Sequence, residues 1–325
     1  MNLDNTKRQG VILKNYKKMN KFNKLFRNTN VNKDVLKKYN ILIPKIRKRE
    51  TIIRRKNRFT DEVVIITGAS SGIGKACAFE FADEGAKVIL AARRENELKK
   101  VENQIKEQGG EALSVKTDVR NIEDCKNLIN KTIEKFGKID VLINNAGISM
   151  RATFEDLDLQ VIKELMDTNF YGAVYCTKFA LPYLLKQKGT VIGISSISGL
   201  TPLPGRIAYS ASKHAMDGFF NTLRLENKKK GLNVLVVHPS FTSSNIRNTA
   251  LNKNGKPQKE TPRNEEKMMS AERVAQIITK ATLKRERDLI LTPQGKLVVW
   301  LHKNFPSITD RIILNEMAKE PDSPF

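Results

Sequence analysis

Short apolar runs rich in β-branched residues recur from about residue 60 onward, and a stretch with helical periodicity follows each of them. Val63-Val64-Ile65-Ile66 is continuously apolar, the pattern of a strand buried on both faces of a parallel sheet. Comparable runs predict strands near 63–67, 87–92, 112–117, 140–144, 190–195, 233–238 and 288–292. Helical patterns fill the intervals, including Leu157–Gln187 and Ala208–Lys230. Uninterrupted strand–helix alternation predicts a single α/β domain over 59–325, a doubly wound parallel sheet covered on both faces.

The first strand runs straight into Thr67-Gly68-Ala69-Ser70-Ser71-Gly72-Ile73-Gly74, and a helical pattern with Ala76, Phe79, Phe81 and Ala82 follows. Strand, glycine turn and helix put bare backbone N–H groups and a positive helix end where a pyrophosphate can sit. The spacing is G-x-x-x-G-x-G rather than G-x-G-x-x-G. Further along, Tyr209 and Lys213 stand at i and i+4, about 40° apart on one helix face. A nearby ammonium lowers a phenol's pKa from about 10 toward the range of proton exchange near neutral pH. Ser196, brought in from another segment, can hold a carbonyl or alcohol oxygen beside that phenol.

These features resemble the short-chain dehydrogenase/reductase family, from about Phe59 to at least Pro239. The signatures stand in family order: TGASSGIG at 67–74, Asp118, NNAG at 144–147, Asn169, Ser196, Tyr209 with Lys213, and Pro239. The resemblance implies a Rossmann-type fold, with Tyr209 as general acid in carbonyl reduction and general base in alcohol oxidation. It implies that Lys213 depresses the Tyr209 pKa and holds the nicotinamide ribose. Ser196 would orient the substrate oxygen, and Asn169 would hold a water linking Lys213 to solvent. Donors placed before hydride arrives suit the developing oxyanion.

The family also implies which residues hold the dinucleotide. These are Thr67, Gly68, Ser70, Ser71, Gly72, Ile73 and Gly74 of the loop, Asn145, Ala146 and Gly147 of the NNAG turn, and Tyr209 with Lys213. Pro239 follows, with Ser244 where a nicotinamide-contacting Thr commonly falls; Ser240 replaces the family's Gly. Cofactor choice is read after Lys87–Ala92, where a carboxylate would repel a 2′-phosphate. Here Ala92 leads into Arg93 and Arg94, a pair that can clamp a phosphate, so NADP(H) is expected over NAD(H). Asp118 would accept from the adenine amino group and Val119 would pack near the ring.

Two regions depart from the shared core. Residues 245–269 are polar with Gly255, Pro257 and Pro262, and are expected to be the substrate loop. Residues 295–319 carry an amphipathic stripe of Leu297, Leu301, Phe305, Ile308 and Ile312, with Trp300 and Ile313 alongside. That stripe can cap the substrate pocket, make a dimer face or lie on a membrane surface. The extension and the stretches NNAGIS, YSASKHA and FF-x-x-LR-x-E look most like the dehydrogenase/reductase member 7 group, which includes membrane-associated reductases of lipidic carbonyls.

Residues 1–58 are a different material. They hold 19 Lys and Arg against three acidic residues, and so most of the chain's net charge of +23. Such a tail is expected to be a disordered extension, with a transient helix at Val35–Ile46, able to contact anionic lipid or another anionic surface. No base-reading motif points to specific nucleic-acid binding. Few acids suit an organellar transit peptide, but Ser is absent from these residues, and Met19 offers an alternative start.

No secretory h-region is visible, and the longest apolar run in the C-terminal stripe, Leu297–Leu301, is far short of about 20 residues. Cys77, Cys125 and Cys176 are scattered, which suggests reduced thiols in a cytoplasmic compartment, with peripheral membrane association left open. His214, His238 and His302 are also scattered, and no metal is expected.

The expected activity is an NADP(H)-dependent interconversion of a carbonyl and a secondary alcohol, on a hydrophobic ketone or aldehyde, by a homodimer or homotetramer. Three alternatives stay open: a 3-oxoacyl carrier-protein reductase, a non-catalytic dinucleotide-binding regulator, and a basic-tail binding protein.

Overall fold

The computed structural model describes residues 57–243, 246–259, 261, 268–321, 323 and 325. The basic extension up to residue 56, with Val35–Ile46, lies outside the described residues, as do Ser244 and parts of the 245–269 loop. Seven strands form one parallel sheet: β1 (Val63–Thr67), β2 (Lys87–Ala92), β3 (Glu111–Lys116), β4 (Val141–Asn144), β5 (Thr190–Ile194), β6 (Asn233–His238) and β9 (Asp288–Ile290), in the order β3-β2-β1-β4-β5-β6-β9. Their bounds agree with the predicted strands to within two residues. The order reverses between β1 and β4, the switch point at which open α/β sheets leave a crevice.

Neighbouring β1 residues divide between the two faces, and both faces are covered. Val64 and Ile66 join Phe81, Leu98 and Ile278, which come from α1 (Gly72–Asp83), α2 (Glu95–Glu107) and α7 (Ala271–Leu283). Val63 and Ile65 join Leu128, Cys176 and Phe220 of α3 (Ile122–Phe136), α5 (Gly172–Gln187) and α6 (Ile207–Asn227). A strand buried on both sides needs no polar alternation, which is why β1 reads as an apolar run. Gly193 of β5 lets the Phe220 ring close on the sheet, since a Cβ there would overlap the ring. The three cysteines are buried and free.

The stretch Leu157–Gln187 is not one helix. A short α4 (Leu159–Leu165) passes into a π-helical turn, Met166–Tyr171, before α5 begins. The wider turn presents Asn169 to the loop after β4, a placement an unbroken 3.6-residue repeat would rotate away. The loop after β6 is also more ordered than its polarity suggests. The two-residue strands β7 (Thr242–Ser243) and β8 (Met269–Ser270) pair in parallel and close its ends. Leu251 is buried against Met150, Leu157 and Val161, and its backbone bonds Ser149 and Arg151.

The C-terminal stripe folds as two helices, α8 (Pro293–Asn304) and α9 (Pro306–Ala318), broken where Phe305 precedes Pro306. Val298, Ile312, Ile313 and Met317 line a cavity, while Leu297, Trp300, Phe305 and Ile308 stay exposed. Among the described residues no helix is long and apolar enough to cross a membrane. At the other end of the domain, Arg58 Nε donates to Glu84 Oε2 at 2.7 Å, and Phe59 packs edge-on to Phe81 with ring centroids 4.8 Å apart. Phe81 is fully buried. Phe81→Ala should lower unfolding stability by about 3–5 kcal/mol, measured by urea titration of circular dichroism.

Candidate active site

The carboxyl ends of β1, β4, β5 and β6 converge at the crevice. The turn after β1 is glycine-rich for reasons the geometry makes explicit. Gly68 (φ +68°) and Gly72 (φ +56°) adopt left-handed backbone. A Cβ on Gly74 would overlap the Asn145 amide and the Gly68 carbonyl, so helix α1 can start only this close with glycine there. Thr67 stitches the turn to β4: its hydroxyl donates to Ile143 O at 3.3 Å and accepts from Asn145 N and Ala146 N, each at 3.0 Å. Asn145 Nδ2 returns the tie, donating to Thr67 O at 2.8 Å.

Ser71 is the N-cap residue of α1, yet its side chain makes no cap bond. Instead Arg94 Nη2 donates to Ser70 Oγ at 2.9 Å and to Ser71 Oγ at 2.8 Å. The first-turn N–H groups and a guanidinium therefore share one spot. They border a cleft of about 530 Å3, which Arg93, Asp118, Val119, Ala146 and Gly147 also line. Asp118 has both carboxylate oxygens on Arg120, through Nε and Nη2. Burial works to raise the Asp118 pKa, but the Arg120 bonds outweigh it and the net displacement is downward. The glycine cradle, the uncapped helix end, the Arg94 guanidinium on the serine hydroxyls and Arg93 on the same cleft fit a phosphate-bearing dinucleotide.

A second cavity of about 310 Å3 adjoins the cleft through Ile73, Asn145, Gly147 and Ile246. Ser196, Tyr209, Lys213 and Pro239 line it, so the structure brings together the residues the motifs singled out. Ser196 caps the turn Ile197–Gly199, accepting from Ser198 N at 3.1 Å, and it shares the cavity wall with Tyr209. Lys213 is buried; its Nζ donates to Ile194 O at 2.8 Å and lies 5.6 Å from the Tyr209 ring centroid. Burial pushes its pKa down to about 8, against the opposing charge of Asp217.

The phenol behaves differently from the sequence expectation. Burial pushes the Tyr209 pKa up, and the neighbouring Ser196 side chain only partly offsets it. The lowering expected from Lys213 is not what sets this group; burial, which strips solvent from the phenolate, is the largest cause. Asn169 is tied into the site through its side chain. Its carboxamide is spent on Ile148 N at 2.8 Å, Ile148 O at 3.0 Å and Ser212 Oγ at 2.9 Å. The side chain thus ties the NNAG turn to the Tyr209 helix. The Ile194 carbonyl and the α9 wall carried no motif, although the apolar stripe had marked α9.

A family model for short chain dehydrogenases matches residues 62–255. The dehydrogenase/reductase SDR family protein 7-like of Dictyostelium discoideum is 34% identical over 83% of this chain and 85% of its own length. The 11-beta-hydroxysteroid dehydrogenase-like 2 of Arabidopsis thaliana is 44% identical over 58% of this chain, a match spanning only 61% of that relative. A solved structure of a short chain dehydrogenase/reductase from Burkholderia phymatum in complex with NAD superimposes with TM-score 0.70 at 24% identity, covering 77% of this chain and 95% of that one. The chain belongs to the short-chain dehydrogenase family. Its likeness to the member 7 group runs over more of the chain than its likeness to the hydroxysteroid dehydrogenase-like relative.

Replacing Thr67 by Val keeps the shape but leaves the Asn145 and Ala146 N–H groups without their acceptor. Thr67→Val should cost about 2–3 kcal/mol of unfolding stability in a denaturant titration.

Proposed function

We propose that this protein is an NADP(H)-dependent oxidoreductase that interconverts a carbonyl and a secondary alcohol and reduces a hydrophobic ketone or aldehyde. The observation that carries the reading is Ser196 and Tyr209 on the wall of one cavity, with the buried Lys213 ammonium seated on Ile194 O beside them. Family membership and the glycine cradle support a bound nicotinamide dinucleotide, which supplies or accepts the hydride. Ser196 Oγ–H holds the carbonyl oxygen, and Tyr209 O–H gives it a proton as negative charge develops. Lys213, held by Ile194 O, sets the field beneath the phenol and would meet the nicotinamide ribose. In the oxidative direction the same phenol oxygen, once ionised, takes the proton back.

Arg94 beside the serine hydroxyls, Arg93 on the same cleft and the absence of a carboxylate at Ala92 support NADP(H) over NAD(H). Ile73, Ile194, Leu203, Phe241, Ile312 and Met317 give the second cavity an apolar lining, which supports a hydrophobic substrate. The resemblance to SDRs supports a homodimer or homotetramer. Peripheral contact with an anionic surface through 1–58 rests on composition alone.

Arg94→Ala should weaken NADPH binding about tenfold and leave NADH binding within about twofold, read by nicotinamide fluorescence; equal losses would place the arginine outside phosphate recognition. Tyr209→Phe should lower the rate of carbonyl reduction by about 10²–10⁴-fold with NADPH affinity retained, and retained turnover would sink the reading. Because the rate needs Tyr209 protonated and Lys213 charged, reduction should hold steady below and fall above about pH 8, where Lys213 loses its proton. A panel of aliphatic, aromatic and steroidal ketones against small polar ones tests the substrate class, and turnover confined to the polar ones would exclude it.

A further inference from the structure

One turn along α6 from Lys213, on the same helix face, stands Asp217. It is 6% exposed, and His238 at the end of β6 is 4% exposed. The imidazole Nε2 donates to Asp217 Oδ1 across 3.1 Å. Gly199, from the turn that follows Ser196, lies against the carboxylate; a Cβ there would stand 2.6 Å from Ser195 Oγ and overlap Asp217 Oδ2. No motif marked either residue, because the pair joins a helix to a strand end 21 residues away.

A carboxylate buried with one hydrogen bond needs a cation nearby. Two stand on the same helix. Arg224 already bonds Asp288 Oδ1 at 3.3 Å, as well as Val234 O at 2.9 Å and Arg287 O at 3.0 Å. Lys213 has a carbonyl and the Met216 sulfur, but no carboxylate in hydrogen-bond contact. The groups around its ammonium come from several elements. Tyr209 and Asp217 belong to α6 itself, Ile194 ends β5, and Ser195 Oγ donates to the Lys213 carbonyl at 3.5 Å. Ser196 follows, Asn169 lies across Gly147, and His238 arrives from β6 through Asp217. Of these Asp217 brings the full negative charge.

We propose that Asp217, clamped by His238, is the positioning residue for Lys213, the counter-charge that keeps the lysine an ammonium seated on the Ile194 carbonyl. The carboxylate meets neither substrate nor dinucleotide; it acts through the lysine. Only the catalytic consequence rests on the oxidoreductase reading. The charge relation itself is a property of the folded chain.

The test reads Lys213 directly. Protein labelled with [13Cε]lysine is titrated from pH 6 to 11, as about the span in which an amine titrates, with the Lys213 signal assigned by its loss in Lys213→Met. The wild-type midpoint is expected at about 8. Asp217→Asn, which keeps size and hydrogen bonding, should move it down by about one pH unit or more. His238→Ala should move it the same way by less, and His238→Gln, which keeps an N–H donor, should restore most of it. An Asp217→Asn midpoint within about 0.3 pH unit of wild type overturns the proposal. If that variant does not fold, an unmoved midpoint in His238→Ala does so.

The pH profile of carbonyl reduction gives the second readout, its alkaline limb following the Lys213 midpoint variant by variant. A midpoint that moves in a protein inactive toward every carbonyl upholds the counter-charge and counts against the reductase. An active reductase whose midpoint and alkaline limb both stay fixed overturns the counter-charge and leaves the reductase standing.

Discussion

A buried ammonium sets the terms for everything around it. Lys213 is 3% exposed at the meeting of β5, α6 and the turn after Ser196, where desolvation works against its charge. Such a group persists only if neighbours replace the water it has lost. The Ile194 carbonyl is available to accept because the pairing of β4 with β5 ends one residue earlier, at Asn144 opposite Gly193. The Tyr209 ring and the Met216 sulfur add softer contacts. Moving β5 by one residue would turn that carbonyl away and put a side chain in its place. The register of β5 against β4 and β6, Ile192 opposite Ile143 and Leu235, is thereby a condition for the site as well as for the core.

The same logic governs the other half of the crevice. Helix α1 begins with bare N–H groups, and these remain available because Ser71 gives its hydroxyl to Arg94 rather than to the helix. The glycine turn is held in shape from outside, by Asn145 from the β4 loop, whose Nδ2 reaches both Thr67 O and Gly68 O. Asn169 then holds that β4 loop to α6 through Ile148 and Ser212. The phosphate cradle and the Tyr209 helix are thus linked through two asparagine side chains. Their positions relative to each other do not depend on a flexible linker.

Much of this was legible in the chain before any coordinates. Strand positions followed from apolar runs such as Val63–Ile66 because a doubly covered sheet admits few polar residues. Tyr209 and Lys213 stand out through helix spacing and the family motif, and Ser196 through the motif; all three line one cavity. What stayed hidden was set by contacts between distant segments. The π-helical turn at Met166–Tyr171 leaves no mark in a hydrophobic repeat, since Leu165, Phe170 and Ala173 suit an α-helix equally well. The rise in the Tyr209 pKa depends on how far the cavity walls close, which spacing along one helix does not report. The order of the 246–259 segment rested on Leu251, a single apolar residue in a polar stretch, finding Met150.

The C-terminal helices connect these strands of reasoning. The break at Phe305-Pro306 divides one apolar stripe between two tasks, because α9 turns Ile312, Ile313 and Met317 into the cavity while Trp300 and Phe305 pack edge-on at the surface. Beyond α9, Glu320 pairs with Arg206 at 2.9 Å, and Arg206 is the residue from which α6 starts, three before Tyr209. Closing the cavity with an apolar wall is also what strips water from Tyr209 and Lys213, raising one pKa and lowering the other. The apolar lining of the cavity and the opposite shifts of the two groups are therefore one structure. Any change that opens the α9 wall must return both groups toward their solution values.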